Sequence, residues 1–84
     1  MITPEQSRAA RGWLEWRQED LAARANMSLS TVRDFEKGRR VPIKNNLEAM
    51  RISFESAGIS FLFDGETPLG IQAITQNRLV VRTN

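Results

Sequence analysis

The sequence predicts a small, mainly α-helical domain of four helices with a short β-strand segment at its C-terminal end. Apolar residues recur at three- and four-residue steps up to Gly58, and helix-capping residues punctuate these runs. After Gly58 the apolar period changes to two. The 84 residues, 40% hydrophobic and 26% charged, suffice for one core. We therefore assign residues 1–58 to the helical part and residues 59–84 to a strand segment of the same domain.

The first helix has a clear start signal. Thr3 can act as the N-cap, Pro4 suits the first helical position, and Gln6 lies three residues after the cap, as in a capping box. This pattern predicts a helix from Pro4 to about Leu14. Its expected core residues are Ala10, Trp13 and Leu14. Trp16, just before the next helix, is expected to cover the core.

Two short helices joined by a tight turn are predicted next. The first fits Gln18 to Ala25, and Asn26 tolerates the left-handed conformation that ends it. Ser28 can cap the following helix, which ends at Gly38 because glycine adopts positive φ without steric cost. The expected core residues are Leu21, Ala22, Ala25, Val32 and Phe35.

Residues 39–43 form a loop, and a fourth helix is predicted from Lys44 to Gly58. Its expected core residues are Leu47, Met50, Phe54 and Ala57. A strand then begins at Ile59, and residues 64–70, with Pro68 and Gly70 among them, have the composition of a turn and loop. Further strands are predicted at residues 71–75 and 78–82, joined at Gln76 and Asn77.

The composition narrows the function classes. The chain has no Cys and no His, which removes thiol nucleophiles, imidazole bases and nitrogen or sulfur metal sites. No stretch has the roughly 18 consecutive apolar residues of a membrane span, and the N-terminus lacks the order of a secretion signal. We expect a cytoplasmic, non-enzymatic protein without cofactor, metal or membrane partner.

The net charge is only +2, but residues 37–44 hold four basic residues and no acid. Such a cluster can contact phosphates, or it can be a solvated face.

Residues 18–38, QEDLAARANMSLSTVRDFEKG, carry a motif. The stretch resembles the helix-turn-helix of the Cro and phage-repressor (XRE) family of bacterial transcriptional regulators. The resemblance extends over residues 2–58 and therefore over all four predicted helices. The matching residues are Gln18, Leu21, Ala22, Ser28, Thr31, Val32, Glu36 and Gly38.

The sequence departs from the family pattern at two positions. Arg17 stands where Ser or Thr often caps the second helix, and Asn26 replaces the common turn glycine. We expect the second helix to begin loosely, because Arg17 cannot accept an amide hydrogen bond. The match of Glu36 to the family implies that it forms an internal ion pair with Arg11 or Arg8, away from DNA.

The resemblance implies that the third helix, about residues 28–37, enters the major groove. Arg33 can bond to guanine, and Leu29 can cover a thymine methyl. Asp34 can accept from a cytosine amine or orient a neighbouring cation, or it can simply pair with Lys37 at i,i+3. The implied base contacts are Ser28, Leu29, Ser30, Arg33 and Asp34. The implied phosphate contacts are Gln18, Thr31, Lys37, Arg39, Arg40, Lys44 and Asn45.

The C-terminal strands predict a homodimer, because short strands leave unpaired edges and apolar side chains that a second copy would cover. The expected dimer contacts are Phe61, Phe63, Ile71, Ala73, Leu79 and Val81. The alternative is that the strands fold back on the fourth helix. Together these features predict a sequence-specific transcriptional regulator that binds a two-half-site double-stranded DNA operator. We expect a repressor or an autoregulator encoded by a bacterium, a plasmid or a mobile element. The alternative function is a protein-interaction module, an antitoxin or antiactivator, that grips a protein partner through these strands.

Overall fold

A computed structural model describes residues 1–73, which form four helices followed by a two-stranded antiparallel sheet. This confirms the predicted mainly helical fold with C-terminal strands. The elements are α1 (Pro4–Leu14), α2 (Gln18–Arg24), α3 (Leu29–Glu36), α4 (Lys44–Ser56), β1 (Ile59–Asp64) and β2 (Thr67–Ala73). The strand predicted at residues 78–82, the turn at Gln76 and Asn77, and the candidate contacts Leu79 and Val81 lie outside the described residues.

The helix starts follow the predicted caps. The Thr3 hydroxyl accepts from the Gln6 amide at 3.2 Å, and the Gln6 side chain accepts from the Thr3 amide at 3.1 Å. This reciprocal pair is the capping box expected from the sequence. At α3, the Ser28 hydroxyl accepts from the Thr31 amide at 3.2 Å.

The first three helices end in the same way. Each is followed by a residue of left-handed backbone, and the next amide reaches back over the last turn in a Schellman motif. The left-handed residues are Glu15 (φ 59°), Asn26 (φ 57°) and Gly38 (φ 75°). The closing bonds are Trp16 N to Arg11 O (3.0 Å), Met27 N to Ala22 O (2.9 Å) and Arg39 N to Asp34 O (2.9 Å). The predicted roles of Asn26 and Gly38 are confirmed, while that of Glu15 was not foreseen.

The core lies between the four helices and the first strand. α2 packs on α3 and α4, α1 packs on α3 and β2, and α4 packs on β1. The buried apolar residues are Ile2, Ala10, Leu21, Ala22, Ala25, Val32, Phe35, Leu47, Met50, Phe54 and Ile59. All predicted core residues of α2 and α3 are among them, and Ala57 is half-buried.

Trp13 was predicted to be buried, and this prediction is wrong. Its side chain is 46% exposed. The buried residues of α1 are Gln6, Ser7 and Ala10, and at about 100° per residue Trp13 lies at the edge of the face that they form. Trp16 takes the core position instead. Its ring stacks on Phe54 with centroids 5.6 Å apart. The prediction that Trp16 covers the core is therefore confirmed.

The segment assigned to a turn and loop at residues 64–70 is mostly strand, which corrects the prediction. Only Gly65 and Glu66 form the turn, since Asp64 pairs with Thr67. The partner of Phe63 is Pro68 and that of Leu62 is Gly70, so that Leu69 is an extra residue in β2. This β-bulge accommodates the proline and the glycine (φ 146°) within a strand.

Gln6 joins this hairpin to α1. Its side chain is buried, and its amide nitrogen donates to Leu62 O at 3.2 Å and to Gly70 O at 3.0 Å. These carbonyls belong to the residue pair next to the bulge, where the ladder between the strands is interrupted. Gln6 therefore holds both strands to the first helix.

Within residues 1–73, no helix has the length and apolar character needed to cross a membrane.

Candidate nucleic-acid interface

α3 has one buried face and one solvent face. Val32, Phe35 and Glu36 are buried, and they hold the helix against α1 and α2. At about 100° per residue, the opposite side presents an arc of about 100°. The residues of this arc are Ser30, Arg33, Asp34 and Lys37, of which Asp34 is half-buried and the others are exposed. Leu29 and Thr31 flank the arc and are half-buried.

Ser28 is occupied by its capping role. Its hydroxyl lies 2.8 Å from the Thr31 hydroxyl and 3.1 Å from the Ser30 hydroxyl, in addition to accepting the Thr31 amide. Three hydroxyls thus form a hydrogen-bonded group at the first turn of α3. This group rotates to donate or accept, so it suits either a base edge or a phosphate oxygen.

The cations that follow α3 lie in an ordered loop. The Schellman bond from Arg39 N to Asp34 O folds the backbone of Arg39 onto the last turn of α3. Pro42 is buried and anchors the loop further along. The exposed polar residues expected to contact phosphates here are Lys37, Arg39, Arg40, Lys44 and Asn45.

Sequence reasoning missed two apolar residues in this loop. Val41 is 79% exposed and Ile43 is 69% exposed, on either side of the buried Pro42. Two β-branched residues inside a basic run were the available signal. They add apolar surface beside Arg40 and Lys44.

Gln18 stands at the start of α2 and contacts the buried end of α3. Its amide nitrogen donates to Glu36 Oε1 at 3.1 Å. A glutamine amide has a second N–H and a carbonyl oxygen for further bonds. Gln18 therefore connects the interior network to the surface where a phosphate contact was expected.

Glu36 is the centre of that network. It is 3% exposed, and its carboxylate is 2.6 Å from Arg11 Nη2 and 2.5 Å from Ser7 Oγ. Burial alone raises the pKa of this carboxyl, but the bonds from Arg11 and the two neutral donors outweigh burial and hold the pKa below its ordinary value. Arg8 binds the Glu36 backbone carbonyl instead of the carboxylate. The expected internal ion pair is therefore confirmed with Arg11 as the partner.

The start of α2 is better capped than the sequence suggested. Arg17 makes no side-chain cap, as predicted, but its backbone amide donates to Asp20 Oδ2 at 2.8 Å. That bond, followed by the bond from the guanidinium, holds the pKa of Asp20 below its ordinary value. Asp20 thus supplies half of a capping box from within the helix.

The strand residues expected at a dimer contact have roles within the chain. Phe61, Ile71 and Ala73 pack against the core, and the Phe61 ring meets Phe54 edge-on at 5.7 Å. This packing corresponds to the fold-back alternative for these three side chains. Phe63 is half-buried, and the bulge directs Leu69 outward, where it is 63% exposed. The dimer itself stays a prediction.

A family model described as a helix-turn-helix domain matches residues 6–51. The match runs from α1 into α4 and includes the whole α2–α3 pair. Among curated proteins, none matches this chain. In helix-turn-helix proteins bound to DNA, the second helix of the pair lies in the major groove. The corresponding helix of this chain is α3. More than half of the sequence is covered, and the chain belongs to the helix-turn-helix domain family.

Proposed function

We propose that this chain is a sequence-specific DNA-binding transcriptional regulator of the Cro and phage-repressor family, acting as a repressor in the bacterial cytoplasm. The observation that carries the proposal is the solvent arc of α3, which presents hydrogen-bonding side chains and is continued by a loop with no acid. A helix of this width enters the major groove, where each base pair displays its own pattern of donors and acceptors.

In this proposal, α3 contacts bases and the surrounding residues hold phosphates. Arg33, whose side chain is exposed in the arc, bonds to a guanine. Ser28, Leu29 and Ser30 contact the neighbouring bases. Phosphates are bound by Gln18 through its second N–H, by Thr31, and by the exposed polar residues between Lys37 and Asn45. Val41 and Ile43 lie against the sugars between those phosphates.

A homodimer completes the proposal, because one recognition helix contacts only a few base pairs and a single module buries too little surface for tight binding. Two copies would place their helices on half-sites about 34 Å apart. The hairpin supports this arrangement because its outward side carries Leu62 and Leu69 after Phe61 and Ile71 have packed inward. The same exposed residues support the second candidate, a protein-interaction module that binds a different protein there.

Selection of bound fragments from random DNA tests the function. We expect a motif with two symmetric halves, and Arg33→Ala should weaken binding to it by about 1–3 kcal/mol. Arg51→Ala is the matched control, since Arg51 is held by Glu48 and Glu55 on α4 at 2.6 Å each. A protein that selects no motif, or an Arg33→Ala variant that binds as the wild type does, contradicts the proposal.

Sedimentation of the full chain tests the dimer. Leu69→Lys should shift the equilibrium toward monomer and leave helicity unchanged, because Leu69 is outside the core. A wild-type chain that is monomeric both free and on its operator, but binds another protein through the hairpin, supports the second candidate.

A further inference from the structure

Within residues 1–73, Asp34 is the one acid of α2, α3 and α4 that forms no ion pair. α2, α3 and α4 carry six carboxylates, and five of them lie within 4.0 Å of an arginine nitrogen. The Asp34 carboxylate has no ion pair or hydrogen bond with any side chain in residues 1–73, although Lys37 follows it at i,i+3. The i,i+3 ion pair between Asp34 and Lys37, which the sequence allowed as an alternative role, is therefore not formed.

The unpaired carboxylate of Asp34 lies on the face of α3 that is proposed to meet DNA. It lies in the same solvent arc as Ser30 and Arg33, and it stands one turn after Ser30 on the helix. A carboxylate that enters the major groove is repelled by phosphates on both sides. Its presence in this arc requires a donor on the DNA that compensates for the repulsion.

The major groove offers two such donors, the amino groups of cytosine and adenine. Adenine displays the N7 acceptor beside its amino group, and N7 repels a carboxylate that cannot donate. Cytosine displays only a C–H beside its amino group. Guanine O6 and thymine O4 are acceptors and repel the carboxylate outright.

We infer that Asp34 determines specificity by requiring a cytosine in each operator half-site, with its carboxylate accepting from the N4 amino group. The inference rests on the proposed function and names the base that this part of α3 selects. Asp34 acts through rejection as much as through attraction, because guanine and thymine offer its carboxylate no donor and adenine places the N7 acceptor beside its donor. Asp34 therefore lowers the affinity for unrelated DNA without lowering the affinity for the operator.

Two substitutions at Asp34 separate this role from a structural one. Asp34→Ala removes the acceptor, so the requirement for cytosine should disappear and binding to random DNA should become tighter. Asp34→Asn keeps the shape and adds a donor, and asparagine pairs with adenine N6 and N7. The variant should therefore change the selected base from cytosine to adenine. Asp64→Asn, on the exposed end of β1, is the matched control and should leave the motif unchanged.

The experiment is fragment selection for the four proteins, followed by titration of duplexes with one base pair changed. For the wild type, replacing the selected cytosine should weaken binding by about 5- to 150-fold. For Asp34→Ala, the same replacement should change binding by less than about twofold. A cytosine requirement that survives in Asp34→Ala overturns the inference and leaves the proposed function intact. If the wild type selects no DNA at all, the proposed function fails and the inference fails with it.

Discussion

The side chain of Gln18 donates to Glu36 across 3.1 Å and so joins the first residue of α2 to the last residue of α3. Glu36 also binds Arg11 and Ser7 on α1. One buried carboxylate therefore fixes three helices relative to one another. The orientation of α3, and with it the proposed interface, depends on this single group as well as on apolar packing.

Glu36→Gln should lower the free energy of unfolding at pH 7 by roughly 3 kcal/mol, since removing one partner of a buried pair leaves the other charge uncompensated. We expect the low end of the usual range because the Arg11 side chain keeps 18% exposure. Urea unfolding followed by circular dichroism measures the change. Glu48→Gln, which breaks an exposed pair with Arg51, should have a much smaller effect.

The same pair predicts a pH dependence. The pKa of Glu36 in the folded protein lies below its ordinary value, which is about 4.3 in an unfolded chain. The carboxylate therefore stabilises the fold fully at any pH above this ordinary value. The stabilisation is lost as the pH falls through the lower folded pKa. The difference in stability between the wild type and Glu36→Gln should therefore shrink below about pH 4. A difference that stays constant from pH 7 to pH 3 would contradict this account.

The local parts of the fold could be predicted from sequence, since their causes lie within a few residues. The cap at Thr3 and the left-handed end at Gly38 each depend on neighbours three or four positions away. The solvent arc of α3 follows from helical periodicity in the same way. Glu36 was separated from the DNA face by its match to the helix-turn-helix pattern, and its choice of Arg11 needed the structure.

The errors arose where distant contacts decide the outcome. Trp13 and Trp16 are both suited to a core, and the choice between them depends on Phe54, a residue distant in sequence on which the Trp16 ring stacks. Pro68 and Gly70 are typical of loops, but a bulge admits both to a strand when a donor is available for the released carbonyls. Gln6 is that donor, and it is 64 residues from Gly70 in sequence.

Glu15→Gly should stabilise the protein by about 0.5–1 kcal/mol. Glu15 has φ 59°, a conformation that costs an L-residue about 1–2 kcal/mol and costs glycine nothing sterically. The greater freedom of glycine in the unfolded chain offsets part of this gain. Thermal unfolding monitored by calorimetry measures it. Ala9→Gly, at an exposed position inside α1, should instead lose about 1 kcal/mol, and a loss in both variants would show that Glu15 is not strained.

Gln6→Glu should release the hairpin from α1 while keeping the N-terminal cap. A carboxylate still accepts from the Thr3 amide, but it cannot donate to Leu62 O and Gly70 O. Leaving a buried acceptor unsatisfied costs about 1–3 kcal/mol, and we expect the low end here because both bonds are only part-buried. Hydrogen exchange should therefore become faster at β1 and β2 and change little at α2 and α3. Gln72→Glu, exposed on β2, serves as the control, and equal exchange in the two variants would show that Gln6 does not hold the hairpin.

Arg39→Gln and Arg40→Gln should weaken binding to operator and random DNA alike, because contacts to phosphates carry no sequence information. Both side chains are exposed in the loop that the Schellman motif fixes at the end of α3. Each lost phosphate contact should make the slope of log affinity against log salt shallower by about 0.9. Fluorescence anisotropy at several salt concentrations gives this slope. Arg51→Gln, which changes the charge equally on α4, should leave the slope unchanged; if the loop variants behave like Arg51→Gln, the basic loop is a solvated face and does not contact DNA.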